Sequence, residues 1–120
     1  MNTDEFFEAY KQMAKHVISF SEIGRREGLL ALEGKLDQDK INKRDIFEYG
    51  MSFVIDGIDP DIIEKILSNI INQEKDDSLA ALKTIQKEAV LAIQKGFNPR
   101  LLRCLINSFS CLSLDEDEIL

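Results

Sequence analysis

Apolar residues recur at helical spacing along most of this chain, and two proline pairs mark where helices begin. Asp59-Pro60 and Asn98-Pro99 each place a capping side chain directly before a proline at the first helical position, where proline is well tolerated. The apolar residues that follow Pro60 are Ile62, Ile63, Ile66, Leu67, Ile70 and Ile71. After Pro99, the residues predicted to line the buried side are Leu101, Leu102, Leu105, Ile106 and Phe109. No segment alternates as a strand does, so the pattern predicts an all-α fold.

A long amphipathic helix is predicted at the N-terminus. Thr3 can cap it, and Asp4 and Glu5 would lie in its first turn, where negative charge suits the helix dipole. Its apolar seam, with alternating spacings of four and three, consists of Phe6, Tyr10, Met13, Val17 and Phe20. The seam is either the core-facing side of the helix, which we favour, or a surface for homo-oligomerisation.

The later boundaries predict a compact domain of about four or five helices. One helix is expected from Asp45 to Ile55, and another is expected to end at Lys95-Gly96. Residues 72–77 (NQEKDD) contain no apolar side chain. They are therefore expected to form either a turn or an exposed continuation of the preceding helix.

The region after the first helix contains three leucines near a glycine. Gly34 is expected to end the helix that carries Leu29, Leu30 and Leu32, and residues 35–43 are expected to form a polar loop. Leu30 is expected to lie in the core. Because a buried unpaired charge is costly, Leu30→Asp is expected to unfold the domain.

Length and charge limit the classes of protein to which the chain can belong. Its 120 residues suit one domain, placed at 1–112, followed by an acidic segment at 113–120 that is expected to be disordered. The net charge of −7 disfavours binding to nucleic acids or anionic membranes. The longest apolar run is AVLAI at 89–93, whereas a membrane span needs about 20 residues. Since MNTDEFFEAY also lacks signal-peptide features, we expect a cytoplasmic protein without membrane insertion.

The usual catalytic and metal-binding patterns are missing. His16 is the only histidine and has no metal-ligating partner nearby, which favours a surface or interface role. Cys104 and Cys111 are too far apart on a helix for a disulfide, so both are expected to be reduced core residues. The zinc, phosphate-loop and calcium-loop patterns are absent. We therefore expect no enzymatic activity, no cofactor and no metal.

Three stretches of the chain resemble one family of membrane proteins. RREGLLALE (25–33), FVIDGIDPDIIEKIL (53–67) and AVLAIQKGFNPRLL (89–102) are similar to cytoplasmic parts of the flagellar motor stator A subunits of the MotA/TolQ/ExbB family. In that family the first two stretches lie in the large cytoplasmic loop between the second and third transmembrane helices. The third lies in the tail after the fourth. The resemblance divides the domain into a loop-like part, about 1–75, and a tail-like part, about 76–112.

The resemblance implies a surface that binds a partner protein, and because the chain has no apolar run long enough to span a membrane, we expect it not to conduct ions. The family's cytoplasmic domain carries charges that contact charged residues of the rotor switch protein, and these match Arg25 and Glu33, with Arg26 beside them. On an unbroken helix, Arg25 and Glu33 would lie about 12 Å and about 80° apart, so one surface could present both. The expected function is a non-conducting flagellar motor protein that binds the rotor switch protein or stator subunits.

Other functions stay open. The chain could be a cytoplasmic scaffold or assembly protein that reuses the fold outside the motor and binds through the Phe6–Phe20 seam, indifferent to the charges. It could also be an engineered fusion of the cytoplasmic parts of a full-length stator protein. A helical enzyme would need a polar pocket with shifted pKa values, for which the sequence offers no candidate. The location that the resemblance implies is the cytoplasm, at the periphery of the flagellar motor.

Overall fold

A computed structural model describes residues 1–109, and these residues form six α-helices and one 3₁₀ helix, with no strand among them. The helices are α1 (Thr3–Glu27), α2 (Gln38–Asn42), α3 (Ile46–Ile55), α4 (Pro60–Ile71), α5 (Asp77–Gln94) and α6 (Pro99–Asn107), and a 3₁₀ segment (Leu29–Lys35) lies between α1 and α2. The all-α prediction is confirmed. There are more helices than expected because two short elements, the 3₁₀ segment and α2, follow α1. The acidic segment 113–120 and Cys111 lie outside the described residues, so the expectations about them remain predictions.

Helix α5 is the central element of the fold. It packs against α1, α3, α4 and α6, and its buried side chains are Leu82, Ile85, Ala89, Val90, Ala92 and Ile93. Helix α3 comes especially near α4 and α5 because Gly50 has no side chain. A Cβ at Gly50 would lie 3.0 Å from Leu67 Cδ1 and from both methyl carbons of Val90. This close approach fixes the position of α3 against the rest of the core.

The apolar seam of α1 faces the core of the chain. Tyr10, Met13, Val17 and Phe20 are buried, and Phe6 is half-buried against them. Of the two interpretations of the seam, the core-facing one agrees with the structure, because the chain's own helices cover these side chains. The cap of α1 was predicted wrongly. Asn2, not Thr3, is the N-cap, and its side chain accepts the Glu5 N–H at 2.8 Å.

A buried phenol joins α1 to the end of α6. The Tyr10 hydroxyl lies 2.9 Å from the Ile106 carbonyl oxygen, to which it donates, and 3.2 Å from Asn107 Oδ1. Burial raises the pKa of Tyr10 to about 12. The hydroxyl therefore keeps its proton, and the bond that holds the end of α6 against α1 is retained at neutral pH.

The buried face of α6 is narrower than predicted. Leu102 and Ile106 are fully buried, but Leu101 and Phe109 are exposed. Leu102 and Ile106 are four positions apart and share a helix face, and α6 packs mainly onto α1 and α5 within the described residues. Cys104 is exposed rather than a core residue, because it lies between the two buried positions along the chain and projects from the opposite side.

The connections around α1 and α2 differ from the prediction. Helix α1 ends at Glu27, because its C-cap, Gly28, has a φ of 91° that favours glycine, and the Gly28 N–H bonds to the Gly24 carbonyl. Gly34 lies inside the 3₁₀ segment. The predicted polar loop at 35–43 contains α2, which forms because the Asp37 carboxylate accepts the N–H groups of Asp39 and Lys40.

The boundaries marked by proline and glycine were predicted correctly. Asp59 caps α4 with Pro60 in its first turn, and Asn98 caps α6 with Pro99 likewise. Helix α5 ends at Gln94 with Lys95 as its C-cap, and the next residue, Gly96, has a φ of 89°. Of the two options for residues 72–77, the turn is correct, since α4 ends at Ile71 and α5 begins at Asp77. Within residues 1–109, no helix combines the length and apolar character needed to cross a bilayer.

Candidate interaction surface

The two arginines singled out in the sequence lie in the last turn of α1. Arg25 and Arg26 are exposed, and positive charge is favourable at this end of a helix. The Arg25 guanidinium donates to the Gly96 carbonyl oxygen at 3.2 Å. Arg25 and Gly96 belong to the first and third of the similar stretches, which this hydrogen bond joins. It also restrains the orientation of the Arg25 side chain at the surface.

Glu33 lies on a separate element from the arginines. The spacing expected for Arg25 and Glu33 assumed an unbroken helix, and this condition is not met, because α1 ends at Glu27 and the chain continues as the 3₁₀ segment. Leu32 anchors this segment, since it is fully buried while Glu33 is exposed. The segment packs against α1 and α3, so Glu33 stays near the end of α1 despite the break.

Leu30 is exposed, contrary to the expectation that it lies in the core. Its exposed fraction is 74%, and that of the adjacent Leu29 is 36%. The break at Gly28 changes the direction of the chain, so that Leu32 points inward and Leu30 outward. An exposed leucine therefore lies between the arginines and Glu33 along the chain. We call the group Arg25, Arg26, Leu30 and Glu33 the α1-end surface.

The charges of the α1-end surface have no ionic partners within residues 1–109. The ion pairs there involve other residues, namely Glu8 with Lys11, His16 with Glu48, Glu74 with Lys83 and Glu64 with Lys87. Arg25, Arg26 and Glu33 are thus solvated charges that are available to a partner. Ordinary solvated charges contribute little to folding, so Arg26 and Glu33 can be changed with little effect on stability, and a change of Arg25 removes only its exposed hydrogen bond to Gly96.

A cleft of about 310 Å³ joins Glu33 to the second similar stretch. Its lining residues are Glu33, Leu36, Gln38, Ile41, Ser52, Ile55 and Asp56. Asp56 is the C-cap of α3 and belongs to the stretch FVIDGIDPDIIEKIL. Glu33 and Asp56 give the cleft two carboxylates. The fold therefore brings Arg25 close to the third stretch and Glu33 close to the second.

A buried carboxylate beneath this region was not identified from the sequence. Glu48 on α3 is 1% exposed. Its Oε1 lies 2.5 Å from His16 Nε2, and its Oε2 accepts the Asp37 N–H at 3.1 Å. Burial alone would raise the pKa of Glu48, but these two hydrogen bonds and the positive charges of His16 and Lys40 outweigh it, so the pKa is lowered.

Glu48 therefore holds three elements together, namely α1, α3 and the start of α2. The His16 ring packs against Phe20 and Phe47, with ring-centre distances of 4.7 and 5.3 Å. Asp37 directly follows Leu36, the C-cap of the 3₁₀ segment. Glu48 thus helps to position the segment that carries Glu33. The sequence did contain a signal, since a glutamate stands among the apolar residues of α3.

The described part of the chain offers no metal site, since residues 1–109 contain no cluster of three or more His, Cys, Asp or Glu side chains that could hold an ion. The expected absence of a cofactor and of catalysis concerns the whole protein and stays an expectation.

Comparison with known proteins shows that the chain is similar in sequence to a motility protein. No protein-family model matches the chain, and no solved structure matches it significantly. The chain is 39% identical over 88 residues to motility protein A of Borreliella burgdorferi, in an alignment that covers 73% of this chain and 33% of that protein. The chain thus spans about a third of the length of this relative, and the similarity concerns only that part of it.

Proposed function

We propose that this chain is a non-enzymatic flagellar motor protein that binds the rotor switch protein or stator subunits without conducting ions. The observation that carries the proposal is the α1-end surface. Its three charged side chains form no ion pairs within residues 1–109, and its leucine is 74% exposed. Similarity to motility protein A supports a role in motility. The proposal places the protein in the cytoplasm, at the motor, with no nucleic acid and no membrane insertion.

The arrangement of the α1-end surface suits recognition of a charged protein partner. Charges at an interface determine specificity and association rate more than affinity, and apolar side chains supply the contact area. Arg25 and Arg26 would face acidic residues of the partner, Glu33 a basic residue, and Leu30 an apolar patch. The hydrogen bond from Arg25 to Gly96 reduces the side-chain freedom that binding would otherwise remove.

Reversing the charge of Arg25 is expected to weaken binding. In a titration against the C-terminal domain of the rotor switch protein, we expect Arg25→Glu to raise the Kd about tenfold, because it puts a negative charge opposite the partner's acidic residues. We expect the effect to be larger at low salt, where exposed charges are less screened. Isothermal titration calorimetry at low and at physiological salt measures both effects.

Lys65→Glu is the matched control for this experiment. Lys65 is exposed on α4, and its reversal changes the net charge by the same amount away from the α1-end surface. Equal weakening by both variants would mean that net charge alone governs binding. If the folded protein binds neither the rotor domain nor stator subunits at either salt concentration, the proposed function is wrong.

Leu30→Asp is expected to keep the fold and to weaken binding. Because Leu30 is 74% exposed, the change should alter the free energy of unfolding by less than about 0.5 kcal/mol. The same change should raise the Kd for the partner severalfold, since the carboxylate replaces the apolar contact of the α1-end surface. Thermal unfolding and the same titration measure the two effects separately.

Ile62→Asp provides the control for Leu30→Asp. Ile62 is an apolar residue on α4 that is 53% exposed, so it undergoes the same chemical change at a different surface. We expect Ile62→Asp to leave binding unchanged. A large drop in the melting temperature of Leu30→Asp would contradict the exposure of Leu30.

A further inference from the structure

A second concave surface is lined mainly by positively charged side chains, although the net charge of the chain is −7. This cleft, of about 260 Å³, lies between the α2–α3 connection and α5. Its lining residues are Lys40, Lys43, Arg44, Asp45, Ile46, Lys83 and Gln86. Four of the seven are cations. We call it the cationic cleft.

Most of the positive charge in the cationic cleft is available. Lys40, Lys43 and Arg44 form no ion pair within residues 1–109, whereas Lys83 binds Glu74 at 2.7 Å. The carboxylate of Asp45 is engaged, because it caps α3 by accepting the Glu48 N–H at 3.1 Å. Counting the four cations against Asp45 and Glu74, the cleft keeps an excess of positive charge.

The backbone holds these cations on one side of the connection. Arg44 has a φ of 60°, a left-handed conformation that costs a non-glycine residue about 1 kcal/mol or more. Two hydrogen bonds fix it, from the Arg44 N–H to the Ile41 carbonyl and from the Asp45 N–H to the Lys40 carbonyl. The spacing of Lys40, Lys43 and Arg44 is therefore set by the connection before any ligand arrives.

The chain itself carries a segment of opposite charge. Residues 115–118 are Asp, Glu, Asp and Glu. Helix α6 ends beside Tyr10, which donates to Ile106, and His16 lies about 9 Å further along α1, at 1.5 Å per residue. His16 contacts Glu48, three residues after Asp45 of the cleft. The five residues 110–114 can extend about 17 Å, which exceeds the ~9 Å that separates Tyr10 from His16 along α1.

We propose that the cationic cleft binds the acidic segment Asp115–Glu118 of the same chain. Electrostatic attraction between exposed groups is weak, but a short connection raises the effective concentration of the segment to the millimolar range. Binding covers Lys43 and Arg44 and keeps them from other anionic partners. Because the cations are exposed, salt weakens the contact. The proposal is independent of the α1-end surface.

The test compares amide NMR spectra of the full chain with those of a variant in which all four acids are neutralised, D115N/E116Q/D117N/E118Q. We expect the amide signals of Lys43, Arg44 and Lys83 to differ between the two chains at low salt. We expect the difference to vanish in about 1 M salt, where the Debye length is about 3 Å. In a K43Q/R44Q background, neutralising the acids should leave the Lys83 signal unchanged. K65Q, which removes a positive charge outside the cleft, is the matched control: in that background, neutralising the acids should still shift the Lys83 signal. If the K43Q/R44Q variant is unfolded, K43Q alone replaces it.

Three results would overturn the proposal. The first is identical cleft signals in the two chains at low salt. The second is a difference that disappears on dilution, which would assign the acidic segment of a neighbouring copy to the cleft. The third is a cleft that responds to added inorganic phosphate but not to neutralisation of the four acids, which would indicate a site for small anions.

Discussion

Replacing Gly50 with leucine is expected to lower the free energy of unfolding by about 3 kcal/mol or more. A Cβ at this position would already lie 3.0 Å from Leu67 Cδ1 and from both Val90 methyl carbons. Leu67 and Val90 are fully buried, so neither can move aside without disturbing the packing of α4 or α5. The remaining leucine atoms would force α3 away from both helices.

Alanine at Gly50 tests the same contact more gently. Alanine gains about 1 kcal/mol of helix propensity over glycine, so any net loss must come from the crowded Cβ. We expect Gly50→Ala to be less stable than the unchanged protein by about 1 kcal/mol. Chemical denaturation followed by circular dichroism gives both values. Ala81→Leu, at an exposed position of α5, should change stability by less than about 0.5 kcal/mol. Unchanged midpoints for both Gly50 variants would contradict the close packing of α3.

Local signals made part of the fold predictable from the sequence. Asp59-Pro60 and Asn98-Pro99 begin α4 and α6 because a cap and a proline act within one turn. The seam of α1 was also identified, since Tyr10, Val17 and Phe20 repeat over several turns and are buried. Burial on α6 was less predictable. It depends on which neighbours the helix meets, and these cover Leu102 while Leu101 remains exposed.

The residues of the candidate site were proposed from the sequence, but their geometry was not predicted. Arg25, Arg26 and Glu33 were identified by resemblance, and all three are exposed. Leu30 was assigned to the wrong side because helical spacing was extended past Gly28, where a φ of 91° ends α1. Which way a side chain points after such a break depends on tertiary packing, here on the burial of Leu32. Glu48 was missed because its partners, His16 and Asp37, are distant in sequence.

Replacing Glu48 with alanine is expected to cost about 3 kcal/mol of stability at neutral pH. The substitution leaves the Asp37 N–H and the His16 ring without their acceptor, and it opens space where a fully buried side chain was. Glu48→Gln should cost less, about 1–2 kcal/mol, because its amide oxygen can still accept the Asp37 N–H. Glu27→Ala, at an exposed position, is the control and should change stability by less than about 0.5 kcal/mol.

The contribution of Glu48 is expected to depend on pH. Its pKa in the folded protein is lowered from 4.5, so the unfolded chain binds a proton more readily than the folded one does. The stabilisation is therefore complete above the unfolded pKa and is lost as the pH falls through the lower, folded pKa. The stability difference between the unchanged protein and Glu48→Gln should shrink from pH 7 towards pH 3. Glu64 and Glu74, whose pKa values are also lowered, are present in both chains and cancel in this difference.

A double-mutant cycle between His16 and Glu48 separates their interaction from the other contacts of each residue. We expect a coupling free energy of about 1–2 kcal/mol for His16→Ala and Glu48→Ala. His16 is 41% exposed while Glu48 is buried, so Glu48→Ala alone should cost more than His16→Ala alone. If the two changes are additive, the stability contributed by Glu48 comes mainly from its hydrogen bond to the Asp37 N–H at the start of α2, and not from His16. A stability difference between the unchanged protein and Glu48→Gln that stays constant from pH 7 to pH 3 would instead mean that Glu48 is not ionised in the fold.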